Sequence, residues 1–295
     1  MTTDLNLDEK NQQFGPPESP TTIALRTLWH HRSGMVGLVI ILVMAVIALI
    51  SPTLSPYDPL EMHAEDRFQA PAAPYYLGTD EFGRDILSRI LIGSRVAFSV
   101  GLISVGISTI VGATIGLIVG YVGGMLDSVV MRFFDALLAF PAILLAIIIL
   151  AVLGPGSLNA ILAIAIVTTP AFARLTRANV LVEKTRVYVE VSISLGAKSS
   201  RIMFRHIFPN VVSTILVQIT ITMASAILLE SALSFLGLGT PLPAPSWGAM
   251  LSIGRGFLHI APWYSIFPGL AVMILIMGFY LLGDGLRDAL DPHRR

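Results

Sequence analysis

The chain has no cysteine among its 295 residues, which excludes disulfides and thiolate metal sites. Its six histidines are scattered, and no HExxH or comparable spacing brings two of them to one helix face. No GxxxxGK[ST] segment is present, so a nucleotide that powers this protein must sit on another chain. Charge is scarce as well. Only 13% of residues are charged, against about 25% in a soluble domain. The formal net charge is zero, so no global field points to nucleic acid. What remains is apolar: 54% of residues are hydrophobic and mean hydropathy is +0.77. Most of the surface must face something other than water.

A bilayer core is crossed by about 20 apolar residues in helix. Six runs qualify, at 34–51, 97–121, 133–153, 158–174, 211–235 and 264–283. The fourth is short and carries Thr168, Thr169 and Pro170. The first follows a long polar stretch with Asp4, Asp8, Glu9 and Glu18, unlike the short basic start of a signal peptide, and reads as an uncleaved anchor. Basic residues set orientation. Arg177, Lys184, Arg186, Lys198, Arg201 and Arg205 cluster between runs four and five. With Arg26 and Arg32 before run one, and Arg287, Arg294 and Arg295 after run six, they fall on one side of a six-span chain. That side is expected to be cytoplasmic, with both termini inside. Arg67, Arg84, Arg89 and Arg95 lie on the other side, accompanied by acids. Trp247, Trp263 and Tyr264 suit an interfacial aromatic belt there.

The segments divide accordingly. Residues 1–25 read as a mobile cytoplasmic tail, 26–52 as an interfacial helix and first anchor, and 53–95 as an extracytoplasmic segment. Residues 96–285 form a core of five helices, and 286–295 a cytoplasmic C-terminus. Within 53–95, "LGTDEFGRDILSRILIGSR" starts with turn chemistry and continues as an amphipathic helix through Ile86, Leu87, Ile90 and Leu91. It is either a helix lying on the membrane with solvated charges or an outer docking or gating element. In run two, Ser104, Ser108, Gly112, Gly116, Gly120 and Gly124 recur every fourth residue. Such a stripe admits a second backbone at close range, for static packing or beside a moving pathway. Asp135 is placed to pair with Arg132 at the start of run three. Glu230, with Ser231 and Ser234 in "LLESALSFLGLG", is a pathway candidate, because an acid within a span is functional by default. An acid placed shallowly enough to reach water is the alternative.

"EVSISLGAKSSRIMFRHIFPN" interrupts the apolar pattern with a basic helix–break–helix. Glu183, Val187, Val191 and Leu195 share one helical face. Gly196 suits a left-handed helix end. Ser199 or Ser200 is placed to cap a second helix bearing Ile202, Met203 and Ile207, and Pro209 marks the start of run five. An exposed apolar helix of this kind either docks in a partner's groove or packs back on its own bundle.

The stretch resembles the EAA loop of ABC importer permeases. Glu190 matches the motif's acid, Gly196 its glycine and Pro209 its proline, while Val191 and Ser192 stand for the two alanines and Phe208 for the leucine. "RFFDALLAFPAILLAI", "TPAFARLTRANVL", "SALSFLGLGTPLPAPSWGAML" and "LLGDGLRDALDP", with the 77–95 segment, are similar to the second permease subunit of dipeptide, oligopeptide, glutathione and nickel importers. The resemblance implies an all-α polytopic fold of six transmembrane helices, that of a type I ABC importer permease, in a bacterial inner membrane. It implies an ATPase-coupling loop at about 175–210 comprising Glu190, Val191, Ser192, Leu195, Gly196, Ala197 and Pro209. A related permease, two cytoplasmic subunits carrying ATP and Mg, and an extracytoplasmic substrate-binding protein are the implied partners. The implied cargo is a peptide, with nickel or a nickel chelate as the alternative. No catalytic, cofactor or metal residue is expected on this chain. An ATP-independent carrier or channel is the rival class, and it predicts midplane charges or an ion site in a broken helix.

Overall fold

The computed structural model describes residues 31–290, so the 1–25 tail, the start of the 26–52 segment and residues 291–295 lie outside it. Among the described residues the chain is helical, with one isolated bridge between Thr79 and Asp85. Helix α1 (Arg32–Leu54) begins where His31 Nδ1 accepts from the Gly34 N–H at 3.3 Å. It is apolar on every side, and most of it is left uncovered by the rest of the chain. It approaches the last helix closely at Gly37. A Cβ there would stand 2.5 Å from the backbone nitrogen of Leu282 on the last helix, so only glycine permits the crossing.

Residues 55–85 fold as a cap over one end of the bundle. Asp85 caps α2 (Ile86–Val122), accepting from Ser88 N at 2.8 Å and Ser88 Oγ at 2.6 Å. The expected amphipathic helix and the second run are therefore one helix of 37 residues, because no breaker separates Arg95 from Ala97. The charges of its first turns are buried, not solvated. Arg84 Nε donates to Asp80 Oδ2 at 2.6 Å, and Arg89, fully buried, gives Nη1 to the Pro59 carbonyl at 2.9 Å. The expected aromatic belt is likewise inside the protein. Trp247 and Tyr264 are buried, and Trp247 Nε1 donates to the Ile90 carbonyl at 3.0 Å, which satisfies the one polar atom of a large apolar ring.

Gly123, at φ +71°, ends α2. The third run is not a single span. α3 (Gly124–Leu138) and α4 (Ala142–Leu153) meet at a 95° bend. Pro141 has no N–H to continue the ladder and disfavours helix at Phe140 before it, so the run breaks there. Among the described residues five helices are long and apolar enough to cross a membrane, six if the bent pair counts as one. α5 (Ser157–Lys184) continues well past the end of the fourth run, through Pro170. After α6 (Val187–Ser194) comes α7 (Ser199–Phe235), then α8 (Trp247–Gly254) and α9 (Trp263–Leu290).

α2 and α5 form the tightest pair. A Cβ on Gly112 would lie 2.6 Å from the Thr169 carbonyl oxygen. One on Gly116 would collide with the Ala173 carbonyl, and one on Gly120 would sit 3.0 Å from Val180 Cβ. Ser104 and Ser108 continue the buried face, returning their hydroxyls to the carbonyls of Val100 at 2.7 Å and Val105 at 3.1 Å. Gly124 lies off this contact. It sits beyond the Gly123 stop at φ +64°, and a Cβ there would meet nothing within 4 Å.

Candidate functional site

One end of the bundle carries the basic hairpin. α5 ends at Lys184, so Glu183 belongs to α5 and not to the hairpin's first arm, because Thr185 and Arg186 separate the two helices. On α6, Val187, Val191 and Leu195 share an outward face and are 73%, 50% and 82% exposed, while Val189 on the reverse is fully buried. The arm closes as a Schellman motif. Gly196 takes φ +75°, its N–H reaches the Ile193 carbonyl at 2.9 Å, and Ala197 N–H reaches the Ser192 carbonyl at 3.1 Å. Glu190 is exposed beside this face.

The return arm corrects one expectation. Lys198 occupies the N-cap without a side-chain bond, so neither Ser199 nor Ser200 caps the helix. Pro209 marks the start of the regular α-helical part of α7, as expected. A wide turn at Ile202–Ile207 precedes it and keeps α7 continuous with the short helix before, and in it Phe208 N–H reaches back five residues to Met203. Such widened turns absorb a residue that cannot join the ordinary ladder. Ser192, Leu195, Lys198, Arg201, Arg205 and His206 surround an open cavity of about 760 Å³ between the arms. Tyr188 ties the hairpin to the bundle: its hydroxyl donates to Glu183 Oε2 at 2.6 Å and accepts from Asn210 Nδ2 at 3.0 Å. Burial, then the bond to Glu183, pushes its pKa up to about 12.

The acids expected in the spans are placed differently. Asp135 pairs with Arg174 of α5 and not with Arg132, because α3 lies across α5. Asp127, which the sequence did not single out, accepts Nε of Arg177 at 2.6 Å and a second guanidinium N–H beside it. Glu230 is 1% exposed and takes the Ser234 hydroxyl at 2.7 Å; Ser234 Oγ in turn accepts from Thr240 N–H at 3.3 Å. Water therefore does not reach this acid. Ser231 lines a cavity of about 320 Å³ with Leu228, Ala232 and Phe235. Among the described residues no group of three or more His, Asp or Glu is disposed to hold a metal ion.

A bundle of helices long and apolar enough to cross a membrane, with an apolar hairpin held out at one end, is built as the membrane part of a transporter. The chain belongs to the family of binding-protein-dependent transport system inner membrane components, which matches residues 112–295. Residues 19–71 match the N-terminal transmembrane domain of oligopeptide transport permease C. It is 45% identical to the dipeptide transport system permease protein DppC of Alkalihalophilus pseudofirmus, over 94% of this chain and 93% of that one. With the glutathione transport system permease protein GsiD of Pectobacterium atrosepticum it shares 46%, over 90% and 89%. A solved inward-facing MetNI methionine ABC transporter chain superposes with a TM-score of 0.57 at 18% identity, covering 69% of this chain and 96% of that chain, and it shares the fold. The chain is thus a multi-pass, non-catalytic ABC importer permease.

Proposed function

We propose that this permease imports small peptides, dipeptides or glutathione among them, across a bacterial inner membrane. It pairs with a related permease, two ATPases that bind ATP and Mg, and a substrate-binding protein on the cap side. The hairpin end faces the cytoplasm and both termini lie inside, as the basic residues around 174–205 favour. Glu190, Val191, Ser192, Leu195, Gly196, Ala197 and Pro209 belong to the coupling loop. The observation that carries this reading is the outward apolar face Val187–Val191–Leu195, which no part of the described chain covers. A helix that presents apolar side chains in this way is built to seat in a partner's groove. The named relatives support the peptide cargo.

Damage confined to the loop should separate hydrolysis from transport. In Gly196→Pro, proline's φ near −65° replaces the +75° of the Schellman turn, and the arm is aimed away from its groove. Glu190→Lys reverses one exposed charge and leaves the backbone alone. Both variants should assemble with the partner permease, lose peptide uptake, and lose the stimulation of ATPase activity by peptide-loaded binding protein. Normal uptake at matched expression in both would reduce the loop to a connector.

A further inference from the structure

Three cavities follow one another along α7 and α9, and the first two, which share Leu228 and Val272, form a continuous groove. At the cap end its floor is Leu228, Ala232 and Phe235 of α7. A middle cavity of about 500 Å³ lies between Leu228 and the α9 face Met273–Met277–Tyr280–Asp284. At the hairpin end a cavity of about 370 Å³ is lined by Thr214, Gln218 and Ile221 of α7, Leu175 of α5 and Arg287 of α9. The α7 positions recur at three- and four-residue intervals and share one face, as do those on α9. The cap end is almost wholly apolar, and the polar groups collect at the hairpin end.

Asp284 and Arg287 are both exposed and stand one turn apart on α9. At that spacing they are able to pair, yet neither forms an ion pair among the described residues. Gly283 presses α9 onto α7, where a Cβ would lie 2.8 Å from Thr220 Oγ1, and this holds Asp284 at the groove. Gln218 uses one amide hydrogen on Thr222 Oγ1 at 3.1 Å and keeps another donor and its carbonyl. One cation and one amide thus line the hairpin-end cavity, and one anion, a turn away on α9, lines the cavity beside it. A charge of each sign at the hairpin mouth of an apolar groove complements the two ends of a short peptide, and the hairpin-end cavity has the size of a small-ligand site.

We propose that Asp284, Arg287 and Gln218 form a way-station on the exit half of the translocation path, binding a short peptide as a zwitterion. Asp284 takes the α-ammonium group, Arg287 the terminal carboxylate and Gln218 the backbone amide. The inference rests on the peptide-import reading above. It uses "LLGDGLRDALDP", a motif for which neither the coupling loop nor the cap accounts.

The absence of cysteine makes the test clean. Ile221→Cys and, separately, Leu228→Cys are placed in the whole complex, assembled in nanodiscs with cysteine-free partners; Leu102→Cys on α2 is the control outside the groove. Both groove cysteines should react with an uncharged, water-soluble maleimide. Alanylalanine at about ten times its dissociation constant should slow labelling of the Ile221→Cys thiol about tenfold, as single-site occupancy requires. N-acetyl-alanylalanine amide, which lacks both charges, should not, and the Leu102→Cys control should be indifferent to both. Asp284→Asn and Arg287→Gln should each abolish the protection. The proposal is overturned if both groove cysteines resist labelling, if the blocked peptide protects equally, or if protection survives both substitutions. Protection by anionic lipid without any by dipeptide would assign Arg287 to headgroup phosphate and overturn it too. An Ile221→Cys complex that takes up dipeptide while its thiol goes unprotected defeats this inference alone. A wild-type complex that takes up no peptide defeats the reading beneath it.

Discussion

A leucine at position 116 has no space to occupy. The glycine meets the Ala173 carbonyl and Thr176 Cβ directly, so Gly116→Leu must push α2 off α5. Overpacking of this kind costs about 1–3 kcal/mol, and the thermal midpoint of the purified chain in detergent should fall. An unchanged midpoint would mean that the two helices are not packed as described. The two ion pairs between α3 and α5 differ in kind. Asp127 and Arg177 are 15% and 31% exposed, Asp135 and Arg174 58% and 54%. The first is bidentate and partly desolvated, so a double-mutant cycle through Asp127→Asn and Arg177→Gln should return a coupling of about 0.5–3 kcal/mol. The same cycle on Asp135 and Arg174 should return at most about 1 kcal/mol and vanish in high salt. Equal couplings would show that burial does not separate them.

At the scale of elements, the hairpin depends on a few bonds that cross it. Tyr188→Phe removes the links to Glu183 and Asn210, and amide exchange in Val187–Ser194 should accelerate without loss of the bundle. The linked titration has a definite sign. Folding raises the Tyr188 pKa from 10.0 to about 12, so the neutral phenol's contribution is complete below pH 10 and is lost as pH rises through 12. An ultraviolet difference titration of wild type against Tyr188→Phe should show that late midpoint; one at pH 10 would contradict the network. Much of the hairpin was legible in the sequence, because Gly196 and the four-residue apolar spacing act locally. The helix boundaries were less so. Hydropathy registers how apolar a run is but not whether it bends, so 133–153 reads as one span although Pro141 breaks it. The same insensitivity hides the opposite case at Arg95, where charge looks like an ending and α2 continues. Burial of Arg84, Arg89, Trp247 and Tyr264 was illegible for another reason. Their partners are Asp80, Pro59 and Ile90 and the cap around them, and 157 residues separate Trp247 from Ile90. The groove acids and bases at 284 and 287 likewise acquire meaning only when α9 is laid against α7.

For the whole molecule, the two ends are mechanically joined. α2 has 37 residues, or about 55 Å at 1.5 Å per residue, well beyond the roughly 30 Å of a hydrocarbon core. Its first turn is anchored in the buried charges of the cap, and Lys184 Nζ, where α5 ends, donates to the Tyr121 carbonyl at 2.6 Å where α2 ends. Between these anchors the glycine contacts leave no layer of side chains to compress. The pair therefore behaves as a stiff beam, and torque applied at the hairpin cannot dissipate along it. A beam of that kind tilts like a seesaw and does not fold like an accordion. Spin labels on Tyr76→Cys and Leu195→Cys in the whole complex, each measured against a fixed partner site, should shift in the same nucleotide step and with the same kinetics. Separate steps would mean that the beam has a joint.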